Sequence, residues 1–221
     1  MSGLTLVIGT RNYSSWSLRP WLLLRHLGIE FAERLLHFDT DDFRREVPRL
    51  SPTGRVPVLL HGDLRVWESI AICEYASELA GGRGWPEARA ARAHARAAAA
   101  EMHAGFGALR SQCPMNARAQ GRRVAATPEL ERDLRRIDLL WSGCRTAFGA
   151  GGPWLYGRYS VADAMYAPVA LRIATYGLDV GAAAARRYLD TVLGDPLLEP
   201  WLEAARSEDV VIPHEEVGLP A

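Results

Sequence analysis

The chain has 221 residues, which is long enough for two small domains, and its 26 basic and 26 acidic residues give a formal charge of zero. This balance excludes a general electrostatic attraction to nucleic acid or to an acidic membrane surface. The sequence contains no lysine, so Schiff-base chemistry and a phosphate-binding loop built on lysine are excluded as well.

Patterns of strand and helix alternate in the first 80 residues. An apolar run at residues 4–8 predicts a strand, and the periodic segment 18–27 predicts a helix that begins near Ser17, with Pro20 in its first turn. Further strands are predicted at 31–38, 56–60 and 64–67, and further helices at 39–49 and 68–79. The resulting order βαβαββα indicates a small α/β domain whose sheet has a parallel part and an antiparallel hairpin at its edge.

The glycine-rich segment 81–86 interrupts every periodic pattern, and the composition changes after it. We therefore predict a first domain at residues 1–80, a linker at 81–86 and a second domain at 87–221. Alanine and arginine dominate residues 87–111, which predicts one helix of about 25 residues. Further helices are predicted at 128–147, 161–176, 182–193 and 196–206, so we expect the second domain to be all-helical.

The three cysteines, Cys73, Cys113 and Cys144, are far apart and form no CxxC pair. This spacing predicts neither a disulfide framework nor a bound metal, and it is typical of the reducing cytoplasm. The first residues carry neither a charged start nor an apolar stretch long enough for a signal peptide or a membrane span. We therefore expect a cytoplasmic protein without membrane attachment.

A serine cluster, Ser14, Ser15 and Ser17, lies where the first strand leads into the first helix. A helix start offers unpaired backbone N–H groups and a partial positive charge, which together stabilise an anion. Hydroxyl groups at the same place can donate further hydrogen bonds to that anion. Taken alone, the cluster is more simply explained as a helix cap.

Two other segments of the first domain offer contacts to a peptide. Pro57 opens a strand, and a cis bond after Val56 would leave the backbone of Val56 free to pair with a peptide ligand. An ordinary trans proline is the alternative that X-Pro frequencies favour. Glu68 and Ser69 begin a helix, where the hydroxyl can bind a carboxylate and the glutamate an ammonium group, although a plain cap is the commoner explanation.

Together and in this order, the three segments resemble the thioredoxin-like domain of cytosolic glutathione transferases, and the resemblance covers essentially the whole chain. It implies a thioredoxin-like α/β domain followed by an all-α domain, with glutathione as the co-substrate. In that family a serine or tyrosine at the first helix start holds the glutathione sulfur; this maps to Ser14, with Ser15 as second choice, and Tyr13 keeps a tyrosine-type site open. The glutathione-binding residues that the resemblance implies are Ser14, Arg55, Val56, Pro57, Glu68 and Ser69.

The second domain contains an S-x-x-D capping box, made of Ser160 and Asp163, at the start of a predicted helix. It resembles the motif that opens a central helix in the helical domain of the same family. We expect this pair to stabilise the helix and to take no part in catalysis.

The SSxSxR pattern from Ser14 to Arg19 looks closest to the zeta class of the family, which includes maleylacetoacetate isomerases. That class has a cysteine where this chain has Trp16. It also carries an arginine where this chain has Thr175, and Arg172 lies nearly one turn earlier. These differences leave both a transferase and an isomerase open.

The predicted function is therefore that of a glutathione transferase, which stabilises the glutathione thiolate for attack on a small electrophile. Met102 and Phe106 of the helical domain are the candidates for the second-substrate pocket, although burial in the core is the commoner explanation for such residues. The resemblance implies a homodimer through the third helix and the alanine-rich helix. A dithiol exchange reaction is disfavoured because Ser14 and Ser17 occupy the places of a CxxC pair. A non-catalytic glutathione-binding or stress-response module and a different ligand on the same fold are the alternatives.

Overall fold

The computed structural model describes residues 3–220, so residues 1, 2 and 221 of the two predicted domains lie outside the described part. The predicted order of elements in the first half is confirmed. These elements are β1 (Leu4–Gly9), α1 (Ser15–Leu27), β2 (Ala32–Leu36), α2 (Asp41–Leu50), β3 (Val58–His61), β4 (Leu64–Trp67) and α3 (Ser69–Leu79).

The four strands form one mixed sheet in the order β2-β1-β3-β4. β1 runs parallel to β2 and antiparallel to β3, and β3 pairs with β4 as the hairpin at the edge. Because side chains alternate along a strand, Leu6 and Ile8 join the main core with α1 and α3, whereas Val7 packs on the other face against Val47 of α2. After β1 ends at Gly9, the chain enters the loop that precedes α1.

Helix α1 begins at Ser15, two residues before the predicted start, with Ser14 as its N-cap residue. The helical hydrogen bond from Leu18 N–H to Ser14 C=O, at 3.2 Å, belongs to this earlier start. Pro20 consequently lies in the second turn and not in the first. The helix accommodates it at the loss of one backbone hydrogen bond, because proline has no N–H to donate.

The second half contains six α-helices among the described residues, and a short 3-10 helix follows at Pro213–Glu215. The α-helices are α4 (Arg89–Ala104), α5 (Gly107–Gln112), α6 (Pro128–Phe148), α7 (Val161–Thr175), α8 (Ala183–Leu193) and α9 (Glu199–Arg206). Almost every residue of α7 is buried, because this helix packs against α1, α4 and α8. None of the helices in residues 3–220 is both long enough and apolar enough to cross a membrane.

The single long helix predicted at residues 87–111 is wrong, because it is broken into α4 and α5. The chain leaves α4 at Gly105, and Phe106 adopts a left-handed backbone conformation with φ of 55°. This conformation is uncommon for a bulky residue, but here it buries the Phe106 ring beside Tyr166, with ring centroids 6.3 Å apart. Burial of an aromatic ring outweighs the helical preference of the local sequence.

The expectation of an all-helical second domain needs one addition. Two short strands, β5 (Arg122–Arg123) and β6 (Leu219–Pro220), pair in antiparallel fashion and hold the C-terminal segment against the loop before α6. Strands of two residues show no alternating pattern, so periodicity does not reveal them.

The capping box predicted at the start of α7 is present. The Asp163 carboxylate accepts hydrogen bonds from the backbone N–H of Ser160 at 2.9 Å, from the Ser160 hydroxyl at 2.8 Å and from Leu155 N–H at 3.0 Å. Burial raises the pKa of Asp163 to about 6 despite these donors. The pair is remote from the cavities described below and acts on the fold.

Candidate active site

Two cavities lie side by side between the sheet domain and the helices. The larger has a volume of about 560 Å³ and the smaller one of about 260 Å³. Both are lined by Trp16, Arg55, Val56 and Arg110, so they share a wall. A ligand can therefore extend from one cavity into the other.

The serines at the start of α1 line the larger cavity. Ser14 Oγ donates to Ser17 Oγ at 2.7 Å, and Ser17 Oγ also accepts from Gly9 N–H at 3.2 Å. Ser15 Oγ accepts a hydrogen bond from the Arg172 guanidinium at 3.2 Å, and its own hydrogen has no acceptor among the described residues. Ser15 is thus a free donor at a helix start, where an anion is favoured.

The segment from Arg55 to Pro57 forms the wall between the cavities. The Val56-Pro57 peptide bond is cis. Val56 lies outside β3, and its backbone N–H and C=O have no hydrogen-bond partner among residues 3–220. Arg55 is exposed and lines both cavities. This segment can accept a peptide as an additional strand.

Glu68 and Ser69 line the smaller cavity at the start of α3. Ser69 is only 2% exposed, and its Oγ has no hydrogen-bond partner among the described residues. Glu68 has a positive φ of 66°, and its carboxylate lies 3.5 Å from Nε2 of His103. Burial and then the charge of Arg19 lower the pKa of His103.

The tyrosine-type alternative finds no support in the hydrogen bonds of Tyr13. Its ring lines the larger cavity, but its hydroxyl donates to Glu216 at 2.6 Å. The same hydroxyl accepts from Arg118 at 3.0 Å and from Ile212 N–H at 3.3 Å. Burial, followed by the hydrogen bond to Glu216, raises the pKa of Tyr13. Tyr13 therefore holds the C-terminal segment and does not point a free hydroxyl at the cavity.

Met102 and Phe106 do not form the second-substrate pocket that the sequence predicts. They are 1% and 6% exposed, belong to the main hydrophobic core and line neither cavity. The break after α4 turns Phe106 inward and brings α5 to the cavity instead. The helical half contributes Gly107, Arg110, Ser111, Arg172 and Glu215 to the larger cavity.

Three arginines lie near the start of α1, and two of them contact the Trp16 ring. The guanidinium carbon of Arg19 lies 3.9 Å from the centroid of the Trp16 ring, and that of Arg110 lies 5.0 Å from it. Arg19 is 1% exposed, and its Nε and Nη1 have no partner among the described residues. Arg172 is 6% exposed and donates to Ser15 and to the carbonyl of Arg110.

The positive charges in this region act on one another. Burial, followed by the charges of Arg172 and Arg110, lowers the pKa of Arg19 to about 9. Burial also lowers the pKa of Arg172 to about 10, although the nearby Glu215 opposes this effect. Both arginines stay protonated at neutral pH, so the region favours anionic ligands. No spacing pattern in the sequence links residues so distant along the chain.

Comparison with known proteins identifies the first domain. Residues 13–79 match the family model described as glutathione S-transferase, N-terminal domain. A dichloromethane dehalogenase from Methylophilus leisingeri is 46% identical over 56 residues, which are 23% of this chain and 20% of the dehalogenase. The chain therefore matches about a fifth of the length of this curated relative.

Two solved bacterial structures superpose on most of the chain. A glutathione transferase homolog from Burkholderia gl BGR1 with bound glutathione is 21% identical, with a TM-score of 0.68 over 93% of this chain and 99% of the homolog. A glutathione transferase family member from Pseudomonas fluorescens pf-5 with two glutathione bound is 23% identical, with a TM-score of 0.67 over 91% and 93% of the two chains. Residues 13–79 thus match the glutathione S-transferase N-terminal domain family, and the described chain has the glutathione transferase fold.

Proposed function

We propose that the protein is a glutathione transferase, which binds glutathione across the two cavities and joins its sulfur to an electrophilic small molecule. The observation that carries the proposal is that donors and acceptors without partners line both cavities: the backbone of Val56, Ser69 Oγ and the Ser15 hydroxyl. Buried polar groups without partners are rare in proteins, and a bound peptide would satisfy all three.

The peptide part of glutathione fits the smaller cavity and the wall beside it. We assign its γ-glutamyl carboxylate to Ser69 at the start of α3 and its ammonium group to Glu68. The cysteinyl backbone pairs with Val56, next to Pro57, and a carboxylate lies within reach of Arg55. This placement directs the cysteinyl sulfur toward the start of α1.

The reaction requires glutathione as a thiolate, and an unperturbed thiol has a pKa of about 8.5. Lowering this pKa by two units takes about 2.7 kcal/mol. One hydrogen bond to a charged group contributes about 1.5 to 3 kcal/mol, and a helix start about 0.3 to 1 kcal/mol. One serine hydroxyl and the start of α1 are therefore sufficient. The thiolate attacks an electrophilic carbon in the larger cavity, and its electron pair forms the C–S bond. The bond from that carbon to the leaving group breaks at the same site, the leaving group departs with the electron pair of that bond, and the thiol proton goes to solvent.

The family resemblance points first to Ser14 as the donor to this sulfur, and the hydrogen bonds favour Ser15. The Ser14 hydroxyl donates its hydrogen bond to Ser17 Oγ. The Ser15 hydroxyl accepts a hydrogen bond from Arg172 and can still donate one to a ligand. A hydroxyl that already accepts from a cation is also the stronger donor.

The corresponding experiment measures the apparent pKa of bound glutathione from the ultraviolet absorbance of the thiolate, together with kcat/KM. Ser15→Ala should raise this pKa by about one to two units and lower kcat/KM at neutral pH about tenfold or more. Ser14→Ala should have the smaller effect. Ser111→Ala is the matched control, because Ser111 lines the same cavity but its hydroxyl donates to Gly107 C=O. Unchanged pH profiles in both Ser14→Ala and Ser15→Ala would contradict the role of the pair.

Closeness to the zeta class and the isomerase reaction stay predictions, as do the cytoplasmic location and the homodimer. Two measurements distinguish an enzyme from the alternative, a non-catalytic glutathione-binding module. Tight binding of glutathione in calorimetry, without turnover of any electrophile, would favour the module over the enzyme.

A further inference from the structure

Three arginines, Arg19, Arg110 and Arg172, lie near the start of α1, and Arg19 and Arg110 contact the Trp16 ring. None of the three forms an ion pair among the described residues. Arg19 and Arg172 are almost fully buried, and Arg110 is half-buried. Buried charges without partners are costly, so a protein that keeps them has a use for the positive potential.

Glu215 is the one acidic side chain that lines the larger cavity. Its carboxylate acts on Arg172 from a distance, since no ion pair joins the two. Arg110 and Arg172 line the same cavity, whereas Arg19 lies against Trp16 and lines neither cavity. The positive charge of Arg110 and Arg172 favours a second anionic group beside the glutathione thiolate at the start of α1.

Arg110 and Arg172 point to where this second anion binds. Both line the larger cavity, and Arg172 contacts Ser15, so an anion held by the two lies next to the position proposed for the sulfur. Phe38 and Phe43 form an aromatic wall of the same cavity, with ring centroids 5.2 Å apart. The cavity thus combines an apolar surface with cationic groups that match the planar geometry of a carboxylate.

We propose that the electrophilic substrate carries a carboxylate, which Arg110 and Arg172 bind while its aromatic or unsaturated part packs on Phe38 and Phe43. This inference rests on the proposed function, because it assigns the second substrate of the same site.

Two aryl chlorides that differ in one group test the proposal. In 4-chloro-3-nitrobenzoate and 4-chloro-3-nitrobenzamide the thiolate attacks the carbon that bears chlorine. The C–S bond forms, the C–Cl bond breaks, chloride leaves with the electron pair, and the thiol proton goes to solvent. Each kcat/KM is divided by the rate constant of the uncatalysed reaction with glutathione, which removes the difference in intrinsic reactivity.

The rate acceleration for the benzoate should exceed that for the benzamide about tenfold or more. Arg110→Gln should lower the ratio of the benzoate acceleration to the benzamide acceleration about tenfold. Glu215→Gln should raise this ratio, because the carboxylate that competes for the arginines is removed. Arg132→Gln is the surface control and should leave the ratio unchanged, since Arg132 is exposed on α6 and pairs with Glu129. An equal acceleration for both compounds, or a ratio that Arg110→Gln does not change, would overturn the proposal.

Calorimetry with the reaction products gives a test that does not depend on turnover. S-(4-carboxy-2-nitrophenyl)glutathione should bind about tenfold more tightly than S-(4-carbamoyl-2-nitrophenyl)glutathione, and Arg110→Gln should remove most of this preference. If free glutathione binds but the two conjugates bind equally, the carboxylate assignment alone fails. If free glutathione itself does not bind, the proposed function fails, and this inference fails with it.

Discussion

The side chain of Ser69 shows how one buried hydroxyl can indicate a ligand. It lies at the start of α3, is almost completely buried and has no hydrogen-bond partner among the described residues. Leaving such a group unsatisfied costs about 1 to 3 kcal/mol, so the free protein gains nothing from the hydroxyl. We propose that the gain comes when a carboxylate in the smaller cavity accepts a hydrogen bond from this hydroxyl.

Replacement of Ser69 by alanine should therefore weaken glutathione binding without destabilising the free protein. Ser69→Ala should weaken glutathione binding about tenfold, while the free energy of unfolding does not fall, because no hydrogen bond is lost in the free protein. Ser77→Ala is the matched control on the same helix, because Ser77 is equally buried and its Oγ accepts from Gly84 N–H at 3.1 Å. The control should lose about 1 kcal/mol of stability and keep its affinity for glutathione. Calorimetry and denaturant unfolding provide both quantities, and an unchanged affinity in Ser69→Ala would speak against the assignment.

At the scale of elements, two helices decide where the site lies. Helix α7 crosses the interior and brings Arg172 beneath the start of α1. Helix α5 exists because the chain turns at Phe106, and its Arg110 and Ser111 then face the larger cavity. Both helices depend on packing that no local pattern describes.

The capping residue of α7 should give the protein a distinctive response to pH. The folded pKa of Asp163, about 6, lies above the unfolded value of about 3.9, so the native state binds the extra proton between these values. The extra proton on Asp163 stabilises the native state fully at pH values below about 3.9. This contribution to the free energy of unfolding is lost as the pH rises through about 6. Relative to Asp163→Asn, the wild type should become more stable as the pH falls from about 7 to about 4.5.

Denaturant unfolding at a series of pH values measures this difference. Asp179→Asn serves as the control, because Asp179 is exposed and pairs with Arg186 at the surface. A wild-type advantage over Asp163→Asn that grows with rising pH would contradict the assignment.

At the scale of the whole molecule, the C-terminal segment closes the site against the sheet domain. Glu208 accepts from the backbone N–H groups of Arg11 and Asn12 at 2.9 and 3.0 Å, and Glu216 accepts from Tyr13. These bonds join the loop before α1 to the last part of the chain. The two halves therefore present one continuous surface to a ligand.

An apolar surface on β4 and α3 supports the proposed homodimer. β4 is an edge strand, and Leu64, Trp67 and Leu79 are 46%, 42% and 44% exposed on these two elements, which pack against each other. Exposed apolar groups along a sheet edge favour association with another chain.

Light scattering after size exclusion should give a mass of about twice the 24.4 kDa of one chain. Leu79→Arg should shift the protein toward the monomer, whereas Leu139→Arg should not, because Leu139 is 67% exposed on α6, away from β4 and α3. A monomeric wild type would refute the dimer.

The amino-acid sequence by itself determined the features that depend on neighbours in the chain. The order of strands and helices in the first half, the Ser160–Asp163 capping box and the interruption at the glycine-rich segment 81–86 follow from local periodicity and local hydrogen bonding. Val56-Pro57 and Glu68-Ser69 were recognisable for the same reason, because each is a dipeptide at the start of a strand or helix.

Only the tertiary structure decided which side chains from the second half meet the serines. Met102 and Phe106 are apolar and suit a pocket as well as a core, and the turn at Phe106 places both in the core. Arg110 lies in α5 and Arg172 lies in α7, and only the fold brings them to Trp16 and Ser15 of α1. The wall of the larger cavity is built from contacts between distant segments, and such contacts are set by packing of the whole chain, which local patterns do not encode.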